Sequence, residues 1–239
     1  MIGGGGKTSL MYYLVTILKD QGYAAIGTST TKLSSHHSSN NSFIRVQNVA
    51  TGYQAVKQAR EIERTVILVS GEDDTDPKKM VGISGEWIDR LAITHKDVVF
   101  VVEGDGAAGK PLKGHLAHDP VIPSLSSMVV VVIGIDSVGL RLTSQNVHRP
   151  ERICQLTKVS PDAVVTTELI TQLLFHPQGY LHNCPSHSLI VPFINKVESV
   201  PQGKLAERLA NQILANQHPQ IGGVVIGSLL TGEGLWLQA

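Results

Sequence analysis

Short runs of apolar and β-branched residues alternate along the chain with segments that repeat apolar positions at helical spacing. Several runs are apolar at consecutive positions, which is typical of parallel strands buried on both faces. The pattern predicts an α/β fold with a mostly parallel sheet. The predicted strands are Ala24–Thr28, Phe43–Val46, Thr65–Val69, Val98–Val102, Met128–Ile135, Leu189–Ile194 and Gly223–Ile226, and the predicted helices are Ser9–Gln21, Gly52–Arg60, Gly85–Leu91, Pro150–Leu156, Glu168–Phe175 and Lys204–Asn216.

Two polar stretches, Ser34–Ser42 and Ser70–Lys79, interrupt this alternation and are predicted to be loops. The pattern contains no internal repeat and no composition shift that marks a domain boundary. With 239 residues, of which 42% are apolar, the chain can bury one large core. We therefore predict a single domain over residues 1–239.

The first predicted helix is preceded directly by a glycine-rich loop with the sequence Gly3-Gly4-Gly5-Gly6-Lys7-Thr8-Ser9. Glycines let the backbone approach an anion closely, and a helix N-terminus favours negative charge. In such a loop the lysine bridges the terminal phosphates and the hydroxyl of Thr8 ligates Mg²⁺. The loop predicts binding of a nucleoside triphosphate, GTP or ATP, with Mg²⁺ in a three-layer P-loop NTPase fold.

One feature departs from the full phosphate-loop pattern, G-x-x-x-x-G-K-[ST]. The position six before Lys7 is Met1 rather than glycine, and few residues precede the loop. We therefore expect the sheet to lack the strand that leads into the phosphate loop. A flexible glycine-rich N-terminus is the alternative interpretation of this segment.

Two carboxylates follow the predicted strand Val98–Val102 in the sequence Glu103-Gly104-Asp105-Gly106. Ligands of doubly wound sheets lie beyond the carboxyl ends of the strands. Glu103 or Asp105 would then hold Mg²⁺ directly or through water, and Gly106 would supply a backbone N–H near the γ-phosphate. An ordinary Asp-Gly turn is the alternative.

A third motif, Asn195-Lys196-Val197-Glu198, follows the predicted strand Leu189–Ile194 and is similar to the Asn-Lys-x-Asp motif by which GTPases recognise guanine. A carboxylate accepts two hydrogen bonds from guanine that adenine cannot donate. Glutamate replaces aspartate here, which changes the reach of the side chain, and a solvated loop is the alternative. The motifs follow the order of GTPases, with Thr28–Thr31 as a switch-like segment and Gly227-Ser228 after the last strand.

Taken together, these segments resemble the selenium-dependent hydroxylase accessory proteins, a branch of the P-loop NTPases found near molybdenum hydroxylase genes. The resemblance implies a nucleotide-dependent role in the maturation of a selenium-dependent molybdenum hydroxylase, and contact with that enzyme or its molybdenum cofactor. Gly104 departs from the pattern, which has alanine there. The matching segments are Gly3–Ser9, Thr28–Lys32, Val81–Ser84, Trp87–Leu91, Glu103–Ala107, Lys110–Lys113, His118–Pro123, Val147–Glu151 and Asn195-Lys196.

The resemblance also draws attention to cationic residues after the acidic motif. Lys110 and Lys113 would neutralise a phosphate or a molybdopterin-type anion, or would simply lie in a solvated loop. Arg149 would reach a transferring phosphate as an internal arginine finger, or would be an exposed residue at a helix start. The candidate catalytic residues are Lys7, Glu103, Asp105 and Arg149.

The charge balance predicts which partners are absent. Twenty basic and twenty acidic residues give no net charge and no basic stripe, which argues against nucleic acid and against an anionic membrane surface. The two cysteines are too few for a disulfide framework and predict a cytoplasmic protein. His182, Cys184 and His187 offer three potential metal ligands in one loop, but no clear fourth ligand accompanies them, and we do not predict a metal site there.

The sequence therefore predicts an NTP hydrolase, GTPase or ATPase, in which a positioned water attacks the γ-phosphate. Two alternatives remain at this stage. One is a nucleotide-gated module that binds a cofactor or partner without appreciable turnover. The other is a small-molecule kinase, in which an acceptor hydroxyl takes the place of water.

Overall fold

The computed structural model describes residues 1–34 and 41–238. The described chain is an α/β protein, as the alternation of the sequence predicts. Its strands are β1 (Ile2–Gly3), β2 (Ala24–Ser29), β3 (Lys32–Ser34), β4 (Asn41–Arg45), β5 (Thr65–Val69), β6 (Gly71–Asp73), β7 (Asp76–Val81), β8 (Val98–Glu103), β9 (Met128–Gly134), β10 (Leu189–Asn195), β11 (Gly223–Ser228) and β12 (Glu233–Gln238). Its helices are α1 (Lys7–Asp20), α2 (Val49–Glu61), α3 (Gly85–Thr94), α4 (Pro150–Thr157), α5 (Thr167–Phe175) and α6 (Val200–Leu214).

Contacts divide the chain into two compact units. The first contains Met1, the described part of Thr8–Gly106, and Val121–Ser126. The second contains Ile2–Lys7, Ala107–Pro120 and the described chain from Ser127 onward. The expected single domain over residues 1–239 stays a prediction, and each unit is described by itself below.

The first unit is built on a parallel sheet in the order β4-β5-β2-β8. Successive residues of β5 alternate between two apolar clusters, because neighbouring side chains of a strand point to opposite faces. Val66 and Leu68 join a cluster with residues of α2 and α3, whereas Ile67 and Val69 join one with residues of α1. Helices therefore cover both faces of this sheet, which is why its strands are apolar at consecutive positions.

A small antiparallel sheet in the order β3-β7-β6 also belongs to the first unit. The predicted loop Ser70–Lys79 was wrong, because it contains β6 and most of β7. The side chains of Asp76–Val81 are exposed or half-buried, so this strand carries no apolar run by which the pattern could reveal it. In the other predicted loop, Ser34 is the last residue of β3, residues 35–40 lie outside the described residues, and residues 41 and 42 belong to β4.

The second unit contains a sheet in the order β1-β9-β10-β11-β12. Its first four strands are parallel, and β12 pairs antiparallel with β11. The pairing aligns Asn195, the last residue of β10, with Gly134 of β9. The motifs after these strands therefore start at the same edge of the sheet, the edge where parallel folds bind ligands.

The expected absence of a strand before the glycine loop was wrong. Ile2 and Gly3 form β1, which pairs parallel with Val131 and Val132. In the first unit, the Met1 ammonium donates to Val102 O at 2.6 Å and Gly104 N donates to Met1 O at 2.8 Å. The strand is only two residues long and therefore contains no apolar run that could predict it. It is defined by its backbone pairing with β9 alone.

Side-chain caps decide where several helices begin. The side chains of Asn48, Ser84, Thr166 and Ser199 each accept a hydrogen bond from a backbone N–H in the first turn of α2, α3, α5 and α6. Such caps satisfy N–H groups that have no acceptor within the helix. None of the described helices combines the length and the apolar character of a membrane-spanning segment.

Candidate nucleotide-binding site

The glycine loop between β1 and α1 has a backbone that only glycine tolerates at several positions. Gly3, Gly5 and Gly6 have φ angles of 99°, 89° and 123°. A Cβ on Gly5 would lie 2.4 Å from Gly134 N, and one on Gly6 would lie 2.6 Å from Asn195 Nδ2. Glycine is therefore needed in this loop for two reasons, the left-handed backbone and the close contact with the last residues of β9 and β10.

Hydrogen bonds hold the beginning of the loop to the protein itself. Gly4 N donates to Val132 O and Gly5 N donates to Lys110 O, each at 3.0 Å. These two N–H groups are therefore occupied by carbonyls. The helix α1 begins at Lys7, and the first N–H groups of a helix have no acceptor within it, so a helix N-terminus favours negative charge.

Lys7 lies back against the loop. Its side chain is 4% exposed, and its Nζ donates to Gly3 O at 2.5 Å. The Lys7 ammonium belongs to the first residue of α1, and a helix N-terminus favours negative charge. The positive charge of Lys7 and the helix dipole would therefore both favour an anion here.

Thr8 follows Lys7 in the chain and belongs to the first unit, where it contacts the acidic motif. Its Oγ1 donates to Glu103 Oε2 at 2.8 Å. Glu103 and Asp105 are both buried, and Asp105 is fully so. The switch-like segment lies at the same place, because Ser29 Oγ and Thr30 N each donate to Glu103 O at 3.0 Å. Two of the predicted metal residues, Thr8 and Glu103, are thus in direct contact.

Asn195 ties the glycine loop to two other segments of the second unit. Its Nδ2 donates to Gly5 O at 2.7 Å, and its Oδ1 accepts from Leu229 N at 3.1 Å. The side chain is 3% exposed, so both groups are shielded from water. The predicted base-recognition motif therefore begins in contact with the predicted phosphate loop.

The other two polar residues of this motif contact side chains that were not among the candidate site residues of the sequence analysis. Lys196 Nζ contacts Asp136 Oδ2 at 2.7 Å. Glu198 is exposed, and its Oε1 accepts from Ser228 Oγ at 3.1 Å. The position of Asp136, just after β9, was the available signal, because polar residues at the carboxyl ends of parallel strands often face a ligand.

Lys113 and Arg149 meet at Asp119. Lys113 Nζ contacts both carboxylate oxygens of Asp119, at 2.9 and 2.7 Å, and Arg149 donates to Oδ2 at 2.6 Å. Lys113 is 1% exposed, so the solvated-loop interpretation of this lysine was wrong. Burial, followed by the charges of Arg149 and Lys113, lowers the pKa of the neighbouring His148 and favours its neutral form.

Lys110 and the loop with His182, Cys184 and His187 were also considered in the sequence. Lys110 Nζ donates to Gln145 O. His182, Cys184 and His187 do not bring three ligand atoms within 4.8 Å of one another in the described chain. Burial also raises the pKa of the Cys184 thiol to about 11, which disfavours the thiolate that a metal requires.

Known proteins similar to this chain place it in one family. A family model described as YqeC protein matches residues 1–151. The chain belongs to the YqeC family. Uncharacterized protein YqeC of Escherichia coli (strain K12) is 31% identical over 199 residues, which cover 82% of this chain and 74% of the relative. No solved structure matches the chain. The glycine loop, the acidic motif and the Lys113–Asp119–Arg149 cluster all lie within the matched YqeC region, whereas Asn195 and Glu198 lie beyond it.

Replacement of Asn195 by alanine tests whether this residue holds the glycine loop. Asn195→Ala leaves the buried Gly5 carbonyl and Leu229 N–H without their partner, and we expect a loss of about 1–3 kcal/mol in the free energy of unfolding. Denaturant unfolding measures this loss. Asn216→Ala is the matched control, because its exposed amide donates only to Gln212 O, and should change stability by less than about 0.5 kcal/mol. Equal stability of the two variants would contradict the anchoring role.

Proposed function

We propose that this protein binds a nucleoside triphosphate with Mg²⁺ and uses it in the maturation of a selenium-dependent molybdenum hydroxylase. The proposed binding of a nucleotide is supported by the 2.8 Å hydrogen bond that Thr8 Oγ1 donates to Glu103 Oε2. It joins the residue after the loop lysine to an acidic motif 95 positions away in the chain. In P-loop NTPases, the Ser or Thr that follows the loop lysine and an acidic residue outside the loop hold the Mg²⁺.

The residues around Thr8 suit Mg²⁺. This ion prefers hard oxygen ligands and retains several waters, so it needs only one or two protein ligands beside the phosphates. The Thr8 hydroxyl and the Glu103 carboxylate supply such oxygens in direct contact, and the buried Asp105 carboxylate lies two residues further along the chain. When bound, Mg²⁺ would neutralise charge on the phosphate oxygens.

The chain's own residues would then bind and orient the phosphates. Lys7 exchanges its contact with Gly3 O for a phosphate oxygen, and the first N–H groups of α1 donate to the same group. Glu103 or Asp105 orients the water that attacks the γ-phosphate, and Gly106 contributes a backbone N–H. Arg149, which Asp119 holds through one N–H, has further guanidinium donors for a transferring phosphate.

The preference for guanine rests on Glu198. Glutamate is one methylene longer than the aspartate of GTPases, and Ser228 Oγ restrains the longer side chain through its hydrogen bond to Oε1. Ser228 is itself buried and accepts from Leu230 N, so it is a fixed donor. A carboxylate held in this way can accept from N1–H and the 2-amino group of guanine. We therefore favour GTP over ATP.

The role in hydroxylase maturation, and contact with the molybdenum cofactor, are inferred from the sequence resemblance. Single-turnover hydrolysis with and without the purified apo-hydroxylase separates an NTP hydrolase from a binding module without turnover. A phosphorylated small-molecule product would instead identify a kinase.

Nucleotide binding is tested first by Lys7→Ala. We expect this variant to lose measurable binding of GTP and ATP in a calorimetric titration, because it removes the cation at the first residue of α1. Lys204→Ala removes an exposed lysine from α6 and should bind as the parent does. Since Lys7 is buried, thermal melting must establish that its variant is folded. A folded Lys7→Ala protein that binds nucleotide as tightly as the parent would refute the phosphate loop.

The proposed metal residues are tested by Glu103→Gln and Asp105→Asn. Each amide removes a negative charge that Mg²⁺ requires, and at least one variant should need a higher Mg²⁺ concentration for half-maximal nucleotide binding. Glu207→Gln, an exposed change on α6, serves as the control and should leave the Mg²⁺ dependence unaltered. If both variants keep the Mg²⁺ dependence of the parent, the metal-binding role is refuted and these residues form an ordinary Asp-Gly turn.

Base selectivity is tested by Glu198→Gln. Loss of the carboxylate should weaken GTP binding about tenfold or more while ATP binding changes little, because a charged hydrogen bond contributes about 1.5–3 kcal/mol. Glu61→Gln, an exposed change at the end of α2, should preserve the ratio of GTP to ATP affinity. The role of Glu198 is excluded if Glu198→Gln keeps the parental ratio of the two affinities.

A further inference from the structure

The outer strand of the second unit's sheet, β12, exposes apolar side chains. Leu235 is 55% exposed and Trp236 is 47% exposed, and Leu230 in the preceding turn is 81% exposed. In the described chain β12 pairs with β11 alone, so its other backbone edge has no strand beside it. Such an edge is a template for pairing with another strand.

From Leu235 onward, this edge lacks the features by which proteins usually prevent pairing. Leu235 to Gln238 contain no lysine, no proline and no charged residue. The pairing of β12 with β11 runs from Glu233 to Gln238 without a register shift, so no bulge turns the edge away. Both the composition and the geometry of β12 therefore permit another strand to add to it.

We propose that β12 is a dimerisation strand, and that a second copy of this chain pairs with it antiparallel about a two-fold axis. In an antiparallel pair, two directly opposite residues either exchange both backbone hydrogen bonds or exchange none. When the two strands are identical, the two-fold axis must therefore lie beside one residue, which is opposite the same residue of the second copy. Axes at Leu235 and at Trp236 meet this condition, and both place apolar side chains of the two copies beside each other.

The charges are compatible with such a pair. Glu233 is the one charged residue of β12. With the axis at Leu235, it lies opposite Leu237 of the second copy, and with the axis at Trp236 it lies beyond Gln238 of the second copy. Neither arrangement places two glutamates opposite each other, which would be unfavourable. The whole chain has no net charge, so two copies do not repel over longer distances.

Sedimentation velocity of the full chain at several concentrations tests the proposal. We expect twice the mass of one chain for the parent and the mass of one chain for Leu235→Lys, because the lysine places two like charges at the pairing strand. Val200→Lys introduces the same charge at a residue that is 76% exposed and lies at the start of α6, and it should remain dimeric. A parent that is monomeric at every concentration overturns the proposal, as does a folded Leu235→Lys variant that is as dimeric as Val200→Lys.

Cysteine cross-linking keeps the proposal testable if Leu235→Lys fails to fold. A residue at the axis lies beside its own copy, so Leu235→Cys or Trp236→Cys should form an intermolecular disulfide on mild oxidation, seen as a dimer on a non-reducing gel. Val200→Cys, in the same background of Cys154 and Cys184, reports the rate of random cross-linking. Rates for both β12 cysteines that do not exceed that of Val200→Cys would refute strand pairing.

Discussion

The close approach of the glycine loop to its own unit is the constraint on which the candidate site depends. Cβ atoms on Gly3, Gly4 and Gly5 would lie 2.3 Å from Val132 O, 2.7 Å from Lys110 O and 2.4 Å from Gly134 N. A loop this close to neighbouring backbone can carry no side chain at these positions. The contacts fix the loop in a single path, and that path delivers the chain to the start of α1 with Lys7 as its first residue.

Parallel pairing explains why motifs distant in sequence lie at one edge of the sheet in the second unit. The strands β1, β9 and β10 run in one direction, so the segments that leave them emerge at a common edge. Asn195, the last residue of β10, then connects the segments after β1 and β11 through two hydrogen bonds of its one buried amide. An amide can do this because it carries both a donor and an acceptor, and no charged side chain offers both.

In the second unit, a single side chain also connects two partners in a cluster of charged residues. Asp119 is a single carboxylate that receives the Lys113 ammonium and the Arg149 guanidinium. Removing one partner of such a cluster leaves an uncompensated buried charge, which is costly, so the three residues depend on one another. The backbone of Arg149 is left-handed, with φ of 57°, and this conformation directs the chain into α4 while its side chain meets Asp119.

The sequence by itself determined the features that arise from local pattern. Apolar runs located the long buried strands, the helical spacing located all six described helices, and the glycines with Lys7 and Thr8 located the candidate loop. These signals are local because burial on both faces and a left-handed backbone each restrict the residue types at the position itself. The pattern did not predict the short strands β1 and β3, the polar strands β6 and β7 or the exposed strand β12, because these strands are defined by pairing with a neighbouring backbone and contain no long apolar run. Only the tertiary structure could show that Thr8 contacts Glu103, that Asn195 holds Gly5 and that Lys113 is buried against Asp119, since each contact joins side chains whose approach is set by the packing of whole elements.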